Sequence, residues 1–211
     1  MAQTSRRGFL GTAALAAGGL ALPSVALPTK LFAQPYASSA AHRRILDVAR
    51  REVDRAGASL LRRDMAAIAD FGLRSSENRF HFANLERGDV RSFLVSHGQG
   101  SDKEHNGWLS HFSNQVGSLA TSRGAYVSSQ IYEGKYGTSM RLDGLDRDNS
   151  NARDRAIVMH PAWYAEAGMV AKWGKLGRSQ GCFAMDPADF RQALLHLSGG
   201  RLIYAEKLGI A

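Results

Sequence analysis

One cysteine and a histidine 22 positions before it are the residues of this sequence best suited to chemistry. The segment GRSQGC, residues 177–182, ends in Cys182, the single cysteine among 211 residues. A thiol attacks as its thiolate, and because a free cysteine has a pKa of about 8.5, only a few per cent is ionised near neutral pH. A nearby imidazole can take up that proton. Of seven histidines, we interpret His160 as the candidate base, and a small buried cysteine without reactivity is the alternative for Cys182.

The residues around the cysteine favour the reactive interpretation. Gly181 removes side-chain bulk next to the sulfur, and the amide groups of residues 181 and 182 can then point at a developing oxyanion. Arg178 adds a positive charge, which favours the thiolate and attracts a substrate carboxylate. His160 ends the short apolar segment RAIVMH, in which a strand period places Ala156, Val158 and His160 on one side. A strand end is a rigid place from which to present a base.

The elements that must position this pair are mostly strands. The spacing of Ile45, Ala49 and Val53 predicts an amphipathic helix that ends near Gly57, and a short helical stretch SLLRRD follows. Asp186 and Pro187 predict the start of a second helix that runs to Leu197. The predicted strands are MAAIADF, RFHFANL, RSFLVSH, AYVSSQIYEG, TSMRLDGL, RAIVMH and RLIYAEK. We therefore expect a mainly β (α+β) domain with helices at its margins.

A long glycine-rich segment between the third and fourth predicted strands carries three histidines, and long ordered loops often carry function. His97, His105 and His111 raise the possibility of a metal hydrolase, but their spacing lacks the logic of HExxH, so we expect no metal and no cofactor. A papain-like peptidase needs a histidine after its cysteine, and only His196, on a predicted helix, follows Cys182. Four aromatic residues are candidates either for a groove or for the core: Trp108, Tyr126, Tyr132 and Tyr136.

Residues 1–33 have the features of a signal peptide. Arg6 and Arg7 precede a short, glycine-diluted apolar run, and cleavage is expected near Ala26 or Ala33. Ser5-Arg6-Arg7-Gly8-Phe9-Leu10 resembles the twin-arginine export motif. A retained helical anchor is the alternative, and no integral membrane span is expected after the signal is removed. We expect a linker and the amphipathic helix over residues 34–60 and the main domain over 61–211.

The charge of the chain fits an envelope protein. Removal of residues 1–33, which hold three basic residues and no acidic residue, lowers the formal net charge from +8 to +5. Weak attraction would concentrate such a protein at an anionic cell envelope, although a basic solvated surface is an equally simple explanation. Nucleic acid is not an expected partner of an exported chain. The unpaired cysteine excludes an intramolecular disulfide.

Several ordered blocks of the sequence resemble the murein L,D-transpeptidase catalytic domain family, in its YkuD-like branch. The resemblance extends over roughly residues 60 to 206, and such a series of blocks is more specific than any single motif. The blocks are SHGQGS (96–101), HFSNQVGSLATSRGAY (111–126), YEGKYGTSMRLDGL (132–145), NARDRAIVMH (151–160) and GKLGRSQGC (174–182). The resemblance implies a β-sandwich or barrel with an N-terminal amphipathic helix, and a periplasmic protein.

The resemblance also implies roles for individual residues. Cys182 would be the nucleophile and His160 the base and later the acid, oriented through the carbonyl of Pro161. Gly181 and Ser179 would form or position the oxyanion site. The implied substrate is the peptidoglycan stem peptide, with these candidate binding residues: Arg178, His97, Ser113, Asn114 and Arg141. A hydrogen-bonded structural group is the alternative for His97, and a structural ion pair is the alternative for each of the two arginines.

The implied reaction is a cross-link made through a cysteine thioester, and other outcomes stay open. Water in place of the acceptor amine would give an L,D-carboxypeptidase, and a non-catalytic wall-binding protein is the third possibility. The sequence departs from the family pattern at Gln180, often histidine, at Ala184, often asparagine, and in a slightly longer interval between His160 and Cys182. The sequence leaves the type of cross-link and the oligomeric state open.

Overall fold

The computed structural model describes residues 39–210, so the predicted signal peptide and the first part of the predicted linker lie outside the described residues. The helices are α1 Ala40–Ala56, α2 Ala167–Trp173 and α3 Pro187–Leu197. The strands are β1 Met65–Asp70, β2 Phe80–Asn84, β3 Asp89–Phe93, β4 Gly124–Gly134, β5 Gly137–Gly144, β6 Val158–Pro161, β7 Phe183–Met185 and β8 Leu202–Glu206. Within residues 39–210, no helix has both the length and the apolar character needed to cross a membrane.

The eight strands form one mixed sheet whose two ends meet. The strand order is β3-β2-β1-β8-β4-β5-β6-β7, with parallel pairs only at β1–β8 and β6–β7. The chain that leaves β3 reaches the opposite end of the order, where the Ser96 amide donates to the Ala184 carbonyl at 2.8 Å. Phe80 of β2 and Phe183 of β7 lie with ring centroids 6.3 Å apart inside this curled sheet. The expectation of an α+β fold of the sandwich or barrel type is therefore confirmed.

Helix α1 covers the outer face of the sheet. Ser39 caps the helix by accepting a hydrogen bond from the His42 amide at 3.1 Å. Its buried face, which includes Ile45, Ala49 and Val53, packs on the aliphatic side chains that β1, β2 and β8 present on that side. Alternate residues of β1 point into the curled interior instead, so β1 is buried along its whole length. The predicted amphipathic helix is therefore part of the folded domain.

Two segments differ from the sequence prediction. SLLRRD is not helical, because the amides of Leu61 and Arg62 both donate to the Gly200 carbonyl, at 3.0 and 3.3 Å, instead of to a helical turn. RAIVMH becomes a strand only at Val158. Ala156 has φ of +52°, in the left-handed region, so it does not share a strand face with Val158 and His160.

The interval between His160 and Cys182 forms a crossover between two parallel strands. β6 and β7 are neighbours that run in the same direction, so the chain must return along the sheet before it can enter β7. It does so through a 3₁₀ turn at Trp163–Ala165 and helix α2, which ends at Gly174 with φ of +68°. Neither α2 nor the three-residue β7 was predicted from the sequence. This crossover brings the cysteine and the histidine to the same end of the sheet.

Candidate active site

The pairing of β6 with β7 sets the relative position of the two candidate catalytic residues. His160 lies opposite Ala184 in the parallel register, and Met159 lies opposite Phe183. Cys182 directly precedes β7, two residues before Ala184. Because side chains alternate along a strand, Cys182 and His160 are expected on the same face of the sheet, one diagonal step apart.

Both side chains open into one cavity of about 330 Å³. The cavity has mixed character, with aliphatic, aromatic and charged side chains around the sulfur and the imidazole. Its walls come from the loop before β4, the β4–β5 hairpin, the segment that enters β6, and the loop that carries Cys182. The lining residues are Val116, Gly117, Leu119, Tyr132, Lys135, Tyr136, Asp154, Arg155, Ala156, Val158, His160, Gln180 and Cys182.

The sulfur of Cys182 lies against the backbone of the segment that enters β6. Cys182 is 8% exposed, and its thiol donates to the Ala156 carbonyl with Sγ and O 3.6 Å apart. Burial raises the pKa of the Cys182 thiol, while a hydrogen bond from the Val158 amide and the positive charge of Arg155 act to lower it. Since burial prevails, the thiol is protonated near neutral pH.

The imidazole of His160 is held in one tautomer. Its Nδ1 lies 3.0 Å from the Pro161 carbonyl oxygen, which can only accept, so Nδ1 carries the proton and Nε2 keeps its lone pair. Tyr136 stacks on the ring, with centroids 4.2 Å apart and planes inclined by 17°. Burial lowers the pKa of His160, although the bond to Pro161 partly opposes this. The resting pair is therefore a neutral thiol and a neutral imidazole, the state in which His160 can act as a base.

The loop that carries the cysteine rests on the segment that follows β3. The Ser179 amide donates to the His97 carbonyl at 2.9 Å, and the Gln99 amide donates to the Ser179 carbonyl at 2.8 Å. Gly98 lies so close to Gly181 that a Cβ on Gly98 would be 2.7 Å from the Gly181 Cα and 2.4 Å from the Leu119 carbonyl oxygen. Only glycine fits at this contact, which sets how closely the loop that carries Cys182 approaches the segment after β3.

Ser179 and Gly181 form a small turn directly before Cys182. The Ser179 hydroxyl donates to the Cys182 carbonyl at 2.7 Å and accepts from the Gly181 amide at 3.1 Å. Gly181 has φ of +114°, and a Cβ there would be 2.7 Å from the Ala120 carbonyl oxygen, so the position requires glycine. In this conformation the Gly181 amide is engaged with Ser179 and does not point at a substrate oxyanion.

The structure places His97 beneath the site and outside the cavity lining. It is 1% exposed, and its Nδ1 accepts from Arg79 at 2.7 Å while its Nε2 donates to Asp102 at 3.2 Å. Burial and the charge of Arg79 lower the pKa of His97, so it stays neutral. Burial acts to raise the pKa of Asp102, but the amides of Asn106 and Gly107 and the bond to His97 outweigh it and lower that pKa. This buried network supports the segment that carries Gly98.

The remaining predicted binding residues are spread over three places. Arg178 is half-buried and donates to the backbone carbonyls of Asp102 and Lys103, away from the cavity lining. Asn114 donates to the Arg147 carbonyl at 3.0 Å and joins two surface loops, and Ser113 lines a second cavity with it. Arg141 does not line the cavity, but it is paired in the sheet with Val158, which does.

The side chain of Arg141 is fixed by an aromatic ring. Its guanidinium carbon lies 4.2 Å from the centroid of Tyr132, which itself lines the cavity. Of the four aromatic candidates, Tyr132 and Tyr136 therefore belong to the groove. Tyr126 is fully buried in the core, and Trp108 is 48% exposed in a separate depression.

Most of the lining residues were not singled out as site residues by the sequence analysis, and Tyr136 and Arg155 are the two whose positions bear most directly on His160 and Cys182. Tyr136 was weighed only as one of several aromatic residues, and no local signal connects a hairpin tip with a histidine 24 positions later. Arg155 stood inside the family-like block NARDRAIVMH, which was the one available signal. The proximity of Arg155 to the sulfur depends on the turn at Ala156. The sequence analysis did not predict this turn, because it interpreted the whole of RAIVMH as a strand.

The histidines considered for a metal site bind separate partners. His105 Nε2 lies 2.9 Å from the Leu176 carbonyl, and His111 Nδ1 lies 3.1 Å from the Ser110 hydroxyl. Across residues 39–210, no group of three or more His, Cys, Asp or Glu side chains is arranged to hold a metal ion.

Comparison with protein families gives a match over most of the chain. The family model described as L,D-transpeptidase catalytic domain, of the YkuD type, matches residues 38–205. The chain belongs to this family. The match includes helix α1 and confirms the resemblance seen in the sequence blocks. A search among curated proteins finds no match.

Three solved structures, two of them L,D-transpeptidases, are similar to this chain at low identity. The L,D-transpeptidase of Mycobacterium smegmatis is 15% identical, with a TM-score of 0.41 over 68% of this chain and 58% of the other. L,D-transpeptidase 1 of Mycobacterium tuberculosis is 13% identical, with a TM-score of 0.37 over 68% and 61%. The helical cell shape determining protein Pgp2 of Campylobacter jejuni is 14% identical, with a TM-score of 0.42 over 80% and 56%. The chain thus spans about three fifths of the length of these proteins.

The protonation state of the resting site predicts how Cys182 reacts with alkylating agents. Because burial raises the pKa of the thiol, the rate of iodoacetamide modification should increase with pH through a midpoint above the free-thiol value of about 8.5. Intact-protein mass measured between about pH 5 and 10 gives this profile, and Cys182→Ala is the control for specificity. A rate that is already constant between about pH 5 and 7 would indicate a thiolate–imidazolium pair and contradict the neutral pair.

The contact between Gly98 and Gly181 predicts a sensitive position directly behind the cavity lining. Gly98→Ala should destabilise the fold by roughly 1–3 kcal/mol, because the new methyl group must push two backbone segments apart, and should change the alkylation rate of Cys182. Urea unfolding and the alkylation rate at one pH measure the two effects. Gly168→Ala is the matched control, since a Cβ there meets open space. Wild-type stability and rate in Gly98→Ala would show that this contact does not position the loop.

Proposed function

We propose that this protein is an exported L,D-transpeptidase that uses Cys182 as nucleophile and His160 as general base and acid on peptidoglycan stem peptides. One observation carries the proposal: in a chain of this family, the single thiol and a histidine with an available Nε2 line the same cavity. The β6–β7 crossover explains how residues 22 positions apart come to share that cavity.

The first half of the proposed reaction forms a thioester. His160 Nε2 takes the proton from the Cys182 thiol as the sulfur attacks the carbonyl carbon at the L-centre of diaminopimelate in the donor stem. The C–S bond forms and the carbonyl oxygen becomes an oxyanion. When the oxyanion collapses, the C–N bond to the terminal D-alanine breaks, and the imidazolium of His160 gives its proton to the leaving amine.

The second half transfers the acyl group to an amine of another stem. His160, again neutral, takes a proton from that amine as it attacks the thioester carbon. The C–S bond then breaks, an amide cross-link remains, and the sulfur recovers its proton from His160. Water in place of the amine would release the shortened stem, so the balance between cross-linking and trimming depends on how well the acceptor excludes water.

The proposed oxyanion site is centred on the backbone amide of Cys182. The Gly181 amide would contribute only if it exchanged the Ser179 hydroxyl for the oxyanion, since the two are hydrogen-bonded at 3.1 Å in the resting site. Ser179 would then act as a positioning residue that releases the amide. The Ser179 bond to the Cys182 carbonyl would keep the turn in place during that exchange.

The charges around the cavity support a substrate rich in carboxylates. Lys135 and Arg155 line the cavity and Arg141 is paired in the sheet with the lining residue Val158, while Asp154 is the single acidic residue of the lining. Diaminopimelate and D-alanine both carry carboxylates, and we propose that Lys135 and Arg141 bind them. Arg178, His97, Ser113 and Asn114 lie outside this lining, so their proposed contribution is to hold the loops around the site.

We also propose a division of the chain and a route to the cell wall. Residues 1–33 would be a signal that directs export to the periplasm, supported by the pair Arg6–Arg7, by the apolar run that follows it and by the small residues that end at Ala26. Residues 34–60 would be the linker and helix, and 61–211 the catalytic domain. Helix α1 would remain after processing as the cover of the outer sheet face.

The proposal predicts turnover that depends on the thiol and the imidazole. Purified protein incubated with muropeptides carrying tetrapeptide stems should form dimers and release D-alanine, as measured by mass spectrometry. Cys182→Ala should abolish both products, and His160→Gln should lower the rate by about 10²-fold or more, because the proton has no acceptor. His111→Gln, at an exposed histidine outside the cavity, is the matched control and should keep wild-type activity.

Each alternative function has its own outcome in this assay. D-alanine release without dimers would identify a carboxypeptidase, and intact wild-type substrate after long incubation would favour a wall-binding protein. Equal turnover by the wild type and Cys182→Ala would remove the thiol from the mechanism.

A further inference from the structure

Arg155 is a half-buried cation that forms no ion pair with a carboxylate among residues 39–210. Of the nine ion pairs between arginine and carboxylate side chains of residues 39–210, none includes Arg155. Arg153, two positions earlier, is by contrast paired with Asp143, with Nε and Oδ1 2.7 Å apart. Arg155 also lines the active-site cavity, and Arg153 does not. A positive charge without a carboxylate partner stabilises any anionic group that forms close to it.

The hydrogen bonds of Arg155 bind one wall of the cavity. Its Nη1 donates to the Ser113 carbonyl at 2.7 Å and to the Ser122 hydroxyl. Its Nη2 donates to the Ser118 hydroxyl at 3.2 Å and to the Ala120 carbonyl. These four acceptors lie in one loop, residues 113–122, which also supplies Val116, Gly117 and Leu119 to the cavity. All four terminal N–H groups are thus used inside the protein, and a bidentate clamp on a substrate carboxylate would have to break them.

The same guanidinium lies against the loop that carries Cys182. A Cβ on Gly181 would be 3.3 Å from Nη2 of Arg155, and Gly181 directly precedes the cysteine. The residue after Arg155, Ala156, turns the chain with φ of +52°, and its carbonyl oxygen accepts a hydrogen bond from the Cys182 thiol. A left-handed backbone conformation at a residue other than glycine is strained, and it persists only where surrounding contacts enforce it. At Ala156, the hydrogen-bonded guanidinium of the preceding residue, Arg155, is such a contact.

We propose that Arg155 is a positioning residue of this site, which holds the 113–122 wall in place and keeps a fixed positive charge beside the sulfur of Cys182. The inference rests on the proposed function, because the charge of Arg155 would stabilise the Cys182 thiolate during acyl transfer. That thiolate is the attacking group when the thioester forms and the leaving group when the thioester breaks. Burial alone disfavours that thiolate, and Arg155 offsets part of this penalty. Substrate carboxylates are left to other cations, since Arg155 has its donors occupied.

The test compares two arginines of the same segment. Arg155→Met removes the charge and the four hydrogen bonds, while Arg153→Met removes an exposed arginine outside the cavity. We expect the iodoacetamide profile of Cys182 in Arg155→Met to move to higher pH by about one unit, which is a rate about tenfold lower near neutral pH. With muropeptide, kcat should decrease more than KM increases. Arg153→Met should match the wild type in both assays.

Arg155→Lys separates the charge from the hydrogen bonds. Lysine keeps the positive charge but cannot reproduce the planar fork, so the alkylation profile should stay close to wild type while kcat/KM falls by about tenfold or more. If Arg155→Met does not fold, Arg155→Gln, which is also uncharged but keeps two N–H donors, takes its place.

Two results would overturn the inference. A folded Arg155→Met or Arg155→Gln protein with the wild-type alkylation profile would show that the charge does not act on the sulfur. Wild-type turnover by Arg155→Lys would show that the four hydrogen bonds do not position the wall. Alkylation needs no substrate, so a shifted profile together with absent turnover in the wild type would support the role of Arg155 and contradict the proposed transpeptidase.

Discussion

The parallel pairing of β6 with β7 is the constraint on which the rest of the site depends. It sets His160 opposite Ala184 and so places Cys182 one diagonal step from the imidazole. Parallel neighbours need a crossover, and helix α2 provides it within the interval between the two residues. The closure of the sheet adds a second restraint, because the Ser96 amide donates to the Ala184 carbonyl. This hydrogen bond brings the 96–101 segment against the loop that carries Cys182. Geometry at the sulfur is therefore determined by backbone pairing, which is more rigid than side-chain contact.

Burial of Cys182 and His160 decides the protonation states of the two side chains. It raises the pKa of the Cys182 thiol and lowers the pKa of His160, so both groups are neutral near neutral pH. The Pro161 carbonyl fixes the tautomer that leaves Nε2 available, and the stacked Tyr136 holds the ring. The proposed enzyme would thus generate its thiolate only during attack. Arg155 and the Val158 amide would then stabilise the charge that appears.

The sequence was sufficient for the elements whose signals are local. Alternating and apolar patterns predicted seven of the eight strands, and the Asp186-Pro187 pair predicted the start of α3. Cys182 and His160 were found because the chemistry of a thiol restricts its partners to few residue types. The three residues of β7 and the seven of α2 are too short for a periodic signal.

Long-range contacts account for what the sequence did not reveal. The role of Arg155 arises from a loop more than 30 positions earlier that folds back onto its guanidinium. His97 was predicted to line the cleft, because a histidine in a glycine-rich loop looks the same whether it faces solvent or a buried arginine. Its neighbours Arg79 and Asp102 become visible only when the sheet has closed. The family-like blocks identified the region correctly and left these placements open.

The most direct test of the central claim is the mass of the protein during a single turnover. The donor is a tetrapeptide muropeptide whose side-chain amine is acetylated, so that it cannot serve as acceptor, and the reaction is quenched at intervals from milliseconds to minutes. We predict an adduct equal to the muropeptide without its terminal D-alanine, which peptide mapping assigns to Cys182. An adduct on another residue, or release of D-alanine with no adduct at any time, would contradict the account.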